Sequence, residues 1–191
     1  MKKTLIPIFF LACSVISLPA DDGGPIVGFK AAGGGGGIVY PLPDWQTHLF
    51  MGFGGEASVE LSILPEAFDE NLYMSADLGF AYFLPVSGGY LSFFSDGWAQ
   101  IGAGYSFTID GIGLSIAPEV GYGVLLHIVD GTISGNQSFG VFADQHNFVS
   151  VKISYEILPF LSVYIQPQYR IFYEASSIGH QLIGFLGLDY K

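Results

Sequence analysis

Most ionisable side chains in the middle of this chain share one phase of a two-residue repeat. Successive side chains of a β-strand point to opposite faces, so residues in one phase line a common face. Charges gathered on an enclosed face must pair or line a pore, because an unpaired buried charge costs several kcal/mol. The residues in this phase are Lys30, His48, Glu56, Glu60, Asp77, Glu119, His127, Lys152, Glu156, Arg170 and Glu174.

The segment from His48 to Leu61 shows the strand pattern that would position such residues. Gly, Ser and Glu residues alternate there with apolar ones, which gives one polar and one apolar face. The segment is about 14 residues long. This length is sufficient to cross a membrane, because a transmembrane strand needs about 9–11 residues. Residues in the opposite phase are predicted to face lipid: Leu49, Met51, Phe53, Leu78, Phe80, Ile101, Val120, Val151, Ile153 and Val163.

The composition of the 191-residue chain favours a membrane protein that crosses with strands. Charged residues make up 12% of the chain, hydrophobic residues 50%, and the mean hydropathy is +0.48. Soluble domains carry about 25% charged residues. After residue 20 the sequence has no apolar run long enough for a membrane helix. A soluble lipocalin-like barrel is disfavoured, because the polar faces hold mostly Gly, Ser, Ala and Gln and few charges. The net charge of −11 argues against binding to nucleic acid.

Residues 1–20 are predicted to be a secretory signal peptide. Lys2 and Lys3 form its basic end, an apolar stretch follows, and Asp21 opens a polar segment. Cleavage after Ala20 would leave residues 21–191 as a single domain. A lipoprotein signal with Cys13 as the lipidated first residue is the alternative. Cys13 is the only cysteine, so the chain cannot form an internal disulfide.

Eight strands are predicted between the turn residues, and they define an antiparallel up-and-down transmembrane β-barrel. An even number of strands puts both termini on the periplasmic side and the longer loops outside. The two longest predicted loops, 87–97 and 130–145, fall outside in this arrangement. The predicted strands cover residues 26–40, 45–62, 72–86, 98–109, 114–128, 146–157, 160–174 and 179–190.

These features resemble the small eight-stranded outer-membrane barrels of the OmpA-transmembrane, OmpX, OmpW and opacity-protein type. The resemblance covers the export signal, the alternating strands and a last strand that ends Leu186-Gly187-Leu188-Asp189-Tyr190-Lys191. It implies a transmembrane barrel in the bacterial outer membrane, inserted by the outer-membrane assembly machinery. Barrels of this type usually end on an aromatic residue, whereas here Lys191 follows Tyr190.

An ion-pair network inside the barrel is the candidate site. The lumen of an eight-stranded barrel is just wide enough to be filled by side chains. We expect Arg170 and Lys152 each to lie within ion-pair distance of at least one of Glu56, Asp77 or Glu119. Such a network either seals the barrel as a structural plug or opens and closes as the gate of a narrow pore.

No enzyme, cofactor or metal site is predicted. A lipid hydrolase would need a serine, a histidine and a carboxylate that converge at one membrane interface. The histidines lie near outer strand ends and have serines nearby, but their spacing forms no catalytic or metal-ligand motif. The residues considered are His48, His127, His146, His180, Ser87, Ser134 and Ser176.

The sequence therefore predicts a non-enzymatic, surface-exposed structural or interaction protein. Its expected partners are membrane lipid, the assembly machinery and an extracellular or host ligand that contacts the outer loops. A narrow, gated, porin-like channel for small or hydrophobic solutes is the alternative. A sealed ion-pair core would favour the first function, and a continuous lumen would favour the second.

Overall fold

Nine β-strands form the part of the chain that the structure, a computed structural model, describes. The described residues are 27–41, 47–63, 71–86, 91–109, 111–133, 136–174 and 177–190. The strands are β1 (Val27–Pro41), β2 (Thr47–Ser62), β3 (Leu72–Pro85), β4 (Leu91–Tyr105), β5 (Phe107–Ile109), β6 (Leu114–Ile133), β7 (Asn136–Leu158), β8 (Leu161–Glu174) and β9 (Ser177–Tyr190).

The strands close into an eight-stranded antiparallel barrel. The sheet order is β4-β3-β2-β1-β9-β8-β7-β6-β5, and the β4–β6 pairing closes the ring. Strand β5 continues β4 after a break at Ser106, because both strands pair with β6 in one continuous register. The predicted up-and-down barrel is thus confirmed. No helix in the described part of the chain is long and apolar enough to cross a membrane.

Burial alternates along the strands as the two-residue repeat predicted. In β3, the side chains of Tyr73, Ser75 and Asp77 are buried, whereas those of Met74 and Leu78 are exposed. The predicted lipid-facing residues are exposed, except that Ile153 and Val163 are half-buried in the same phase. An exposed apolar band around a closed barrel is the surface that a bilayer covers.

Leu78→Arg tests this assignment, because Leu78 lies near the middle of β3 and is 65% exposed. The variant should lose about 2–4 kcal/mol of unfolding free energy, since an arginine there meets the hydrocarbon midplane. Phe160→Arg, at the exposed turn between β7 and β8, is the matched control and should cost about 0–1 kcal/mol. Urea unfolding in lipid vesicles measures both values. Equal stability of the two variants would contradict the assigned membrane face.

Two predicted loops are strands instead. Residues 91–97 belong to β4, and residues 136–145 belong to β7, which pairs with β6 from Leu114↔Tyr155 to Ile133↔Asn136. The polar residues of both segments had suggested loops. A strand that extends beyond the bilayer needs no continuous apolar face on its outer side, and Phe94 and Asp96 of β4 are buried in the lumen. Only the backbone pairing with neighbouring strands therefore identifies these segments as strands.

The inner end of the barrel is the end with the short turns, and one of them includes Gly111 and Gly113. Gly111 has φ 83° and Gly113 has φ 65°, values that favour glycine. The predicted signal peptide, Cys13 and residues 21–26 lie outside the described part of the chain.

Candidate functional site

The lumen of the barrel is filled with side chains from the inward phase. From the outer end inward it holds an apolar cluster, a histidine–aspartate group, an arginine–glutamate group, a pair of acids and a lysine–acid group. Each group combines residues from several strands. The described part of the chain contains no set of three or more His, Cys, Asp or Glu residues arranged for a metal ion.

An apolar cluster occupies the outer end of the lumen. Phe94 lies 5.7 Å from Phe50 and 6.3 Å from Phe83 between ring centroids. These rings and their apolar neighbours bury almost all of their surface, so they obstruct the lumen at this end. The cluster, here called the outer plug, consists of Ile38, Phe50, Ala81, Phe83, Phe94, Trp98, Leu125, Val129, Phe172, Ile183 and Phe185.

His127 lies among the residues of the outer plug and contacts two aspartates. Its Nδ1 is 2.6 Å from Asp96 Oδ1, and its Nε2 is 3.3 Å from Asp144 Oδ2. The Phe94 and Phe172 rings flank the imidazole at 5.0 and 4.9 Å. His127 is fully buried, as its phase predicted, and two carboxylates hold its orientation.

Arg170 forms the next group with Glu56 and Trp98. Its Nη2 lies 3.3 Å from Glu56 Oε2, and its guanidinium carbon lies 4.0 Å from the Trp98 ring centre. The Trp98 Nε1–H donates a 2.8 Å hydrogen bond to the same glutamate oxygen. A side chain at Gly79 would overlap the Trp98 ring, so this glycine leaves room for the indole. The cation is thus held by a carboxylate and by an aromatic face.

Two lysines and two acids fill the inner end of the lumen. Lys30 Nζ lies 2.9 Å from Glu60 Oε1. Lys152 Nζ lies 2.8 Å from Glu60 Oε2 and 2.9 Å from Asp189 Oδ2. All four side chains are buried, and their formal charges cancel.

The partners of Lys152 differ from those that the sequence predicted. We expected Glu56, Asp77 or Glu119, but Lys152 pairs with Glu60 and Asp189. Arg170 does pair with one of the three predicted acids, Glu56. The difference arises because strand stagger decides which inward residues share a level in the barrel.

Asp77 and Glu119 lie in the lumen but pair with no base among the described residues. The Ser75 hydroxyl donates a short hydrogen bond to Glu119 Oε1, and its Oγ is 3.5 Å from Asp77 Oδ2. The Gln100 amide donates to Asp77 Oδ2 at 3.0 Å. The five predicted residues therefore share one lumen but do not form a single ion-pair network.

Other predicted site residues have different surroundings. Glu156 is exposed near an irregularity at the end of β7, where the strand's regular alternation is lost. His146 Nε2 lies 3.0 Å from Gln100 Oε1 inside the lumen. His180 lies on the outer face, 2.7 Å from the Tyr169 hydroxyl. The side chains of His48 and Glu174 and the residues Ser87, Ser134 and Ser176 fall outside the described part.

Sequence analysis missed three lumen residues. Asp96 was assigned to a loop, because the start of β4 was placed too late. Asp189 shares the inward phase of β9, so its alternation with Leu186, Leu188 and Tyr190 could have identified it. Trp98 was not assigned to the lumen, and only the structure places its ring against Arg170.

A closed barrel with an apolar outer band and a polar, filled lumen defines an integral outer-membrane β-barrel protein. Every backbone group inside a bilayer must be paired within the protein, and a closed barrel meets that condition. This fold and the apolar band together place the chain in the bacterial outer membrane.

Solved structures of outer-membrane proteins share this fold. Neisserial surface protein A is 16% identical, with a TM-score of 0.60 over 88% of this chain and 99% of that chain. Ail of Yersinia pestis, in complex with the heparin analogue sucrose octasulfate, is 10% identical, with a TM-score of 0.55 over 88% and 99%. A major outer membrane protein from Thermus thermophilus is 15% identical, with a TM-score of 0.56 over 85% and 98%. No protein-family model and no curated protein sequence matches this chain.

Proposed function

We propose that this protein is a non-enzymatic surface scaffold that presents a β-hairpin to an extracellular partner. The observation that carries the proposal is the hairpin of β6 and β7, in which β7 extends beyond its neighbour β8 at the outer end. The ladder between β7 and β8 starts at Gln145↔Tyr173, and the ladder between β4 and β6 reaches Gly131. Among the described residues, nothing pairs with the β8-side edge of the segment Asn136–Asp144.

An unpaired strand edge favours a partner that adds a strand. Free backbone N–H and C=O groups along such an edge can pair with an extended segment of another protein. Phe139 is 67% exposed on this segment, and Val141 and Phe142 are exposed as well. Exposed apolar side chains beside a free edge would add contact area for the incoming strand.

The charge of the chain favours a neutral or basic protein as the partner. The net charge is −11, and β6 and β7 contribute Asp130 and Asp144 near the outer end. The structure of Ail contains a heparin analogue, a polyanion. An acidic hairpin would repel such a ligand, so we do not extend that chemistry to this chain.

The filled lumen supports a scaffold over the alternative, a narrow gated channel. The outer plug and the three ion-pair groups occupy the lumen with buried side chains. Under this proposal the protein incorporated in planar bilayers shows no steady single-channel conductance. A steady conductance of wild-type protein would favour the channel.

The double variant Phe139→Lys/Val141→Lys tests the hairpin. Wild-type barrel in lipid nanodiscs is applied to an array of immobilised extracellular-matrix and serum proteins. Binding should be saturable on at least one protein, and the variant should lose at least tenfold in affinity because charge blunts a free strand edge. Phe160→Lys at the inner turn is the control and should bind as wild type. Equal binding by the double variant would contradict the role of the hairpin.

A further inference from the structure

The lipid-facing wall of the barrel has a groove where β2, β1, β9 and β8 lie side by side. Its volume is 490 Å³, which is within the range of about 300–1,000 Å³ for ligand-binding clefts. Among the described residues, no Asp, Glu, Lys or Arg lines it. We call it the wall groove, and the residues that shape it include Gly35, Gly37, Met51, Tyr169, Leu182 and Gly184.

The wall groove exists because glycines occupy positions where lipid-facing side chains would stand. Gly184 lies opposite Gly35 in the β1–β9 ladder and opposite Pro167 in the β8–β9 ladder. A Cβ atom at Gly184 would have room, since the Gly35 carbonyl oxygen would lie 4.0 Å away. By contrast, a Cβ atom at Gly36, in the inward phase, would collide with the Leu182 carbonyl. The packing of the barrel therefore requires glycine at position 36 but not at position 184.

A glycine that the barrel's packing does not require still weakens its strand. Glycine loses more conformational freedom on folding than any other residue, and it has no side chain to pack. Nearby lipid-facing positions carry large exposed apolar side chains, such as those of Met51 and Leu182. Glycine in a strand often marks a place where a ligand approaches the backbone closely. Gly184 therefore indicates a surface that is kept open for a molecule outside the protein.

The wall groove runs from the middle of the barrel wall toward its outer end. Strand β9 ends at the inner side, because Tyr190 pairs with Leu161 beside the inner turn, and Gly184 lies in the middle of β9. His180 lines the groove four residues closer to the outer end. That separation is about 13 Å along a strand, close to half of the roughly 30 Å hydrocarbon core. The wall groove thus spans the depth of the outer leaflet.

Tyr169 and His180 line the outer part of the wall groove without presenting an unmet hydroxyl. The Tyr169 hydroxyl lies 2.7 Å from His180 Nδ1, and the two rings are stacked with an interplanar angle of 12°. Because the hydroxyl and Nδ1 pair with each other, neither atom needs a polar ligand. This arrangement suits an apolar ligand.

We propose that the wall groove holds one acyl chain of an outer-leaflet lipid as a bound ligand. The groove is continuous with the apolar band that the bilayer covers, so a lipid chain reaches it without leaving the membrane. A hydrocarbon chain is narrow, and it makes dispersion contacts with the exposed glycine backbone and with the flanking side chains. A second copy of the protein fits less well, because a twofold axis would set groove against groove and leave a void.

Native mass spectrometry tests the proposal on the barrel refolded in dimyristoylphosphatidylcholine vesicles and then extracted into detergent. Wild type should retain one phospholipid per chain. Gly184→Leu fills the wall groove and should lower the lipid-bound fraction roughly tenfold, because the added side chain occupies the space of the ligand.

Gly97→Leu is the matched control. It adds the same side chain to the lipid-facing side of β4, outside the wall groove, and its Cβ atom also has 4.0 Å of room, to the Gly79 carbonyl oxygen. This variant should retain the phospholipid as wild type does.

Photo-crosslinking in the same vesicles tests the direction of the bound chain. A phosphatidylcholine with a diazirine at the end of its acyl chain should label the segments around Pro167 and Gly184. A diazirine beside the ester should instead label the segments around Val39 and Leu49, which line the outer part of the groove. The reverse order of labelling would place an inner-leaflet lipid in the groove and would contradict the proposal.

Three results of the retention experiment would overturn the proposal. Wild type that retains no more lipid than Gly184→Leu would have only ordinary lipid around the barrel. A wild-type dimer that Gly184→Leu abolishes would assign the wall groove to a second copy. Equal lipid loss in Gly97→Leu would mean that any added bulk on the wall has this effect. Should Gly184→Leu fail to fold, crosslinking of wild type decides the question, and labels spread evenly around the barrel would refute a bound chain.

Discussion

Arg170→Ala should lower the unfolding free energy of the barrel by about 3–5 kcal/mol. The guanidinium is fully buried, and it bonds to Glu56, Gln168 and Gln181 while it stacks on Trp98. The alanine leaves Glu56 charged in the lumen without its cation, and it opens a cavity beside the Trp98 ring. Urea unfolding of vesicle-bound protein, followed by Trp fluorescence, measures the loss.

A second variant separates the charge from the cavity. Adding Glu56→Gln to Arg170→Ala removes the stranded carboxylate and should recover part of the loss. Arg170→Met, which fills more of the volume but carries no charge, should lie between wild type and Arg170→Ala. If Arg170→Ala costs less than about 1 kcal/mol, water solvates Glu56 and the lumen is open rather than sealed. A higher single-channel conductance for Arg170→Ala than for wild type would support the alternative function, a narrow gated channel.

The inward position of Arg170 could be predicted because it needs only the two-residue phase. Apolar residues on the lipid face fix that phase, since a shift of one residue would turn every charge toward the bilayer. The same argument placed Glu56, Asp77, Glu119 and Lys152 in the lumen, where the structure also has them.

The strand ends could not be predicted, because a strand that leaves the bilayer no longer needs apolar residues on its outer face. The two-residue alternation that identifies a strand in the sequence is therefore lost there. Residues 91–97 and 136–145 carry polar residues on both faces and had suggested loops. This error hid Asp96, which holds His127 from the first part of β4. It also hid the extended hairpin on which the proposed function rests.

The partners across the lumen could not be predicted either. Glu60 on β2 and Lys152 on β7 are separated by three other strands in each direction around the barrel. Which residues share a level depends on the accumulated stagger of those strands. Cross-strand neighbours can be found from turn positions, but pairs across the lumen require the closed structure.

Lys152→Met should cost about 3–5 kcal/mol, and it should cost more than Lys30→Met. Lys152 Nζ bonds both Glu60 oxygens and Asp189, whereas Lys30 contacts Glu60 alone among the ion pairs of the described residues. After Lys30→Met, Glu60 and Asp189 both keep Lys152. After Lys152→Met, Lys30 still pairs with Glu60, but Asp189 has no cation at ion-pair distance.

The stranded Asp189 provides the decisive control for this prediction. In the Lys152→Met background, Asp189→Asn should recover more stability than Glu60→Gln, because Glu60→Gln would also remove the partner of Lys30. Urea unfolding of the four variants in vesicles measures their midpoints. Where the dependence of unfolding free energy on urea concentration is the same for all four, the midpoints rank their stabilities. If Lys30→Met costs as much as Lys152→Met, the two lysines share the acids equally. The inner end of the lumen would then be one mobile four-charge cluster rather than a set of fixed pairs.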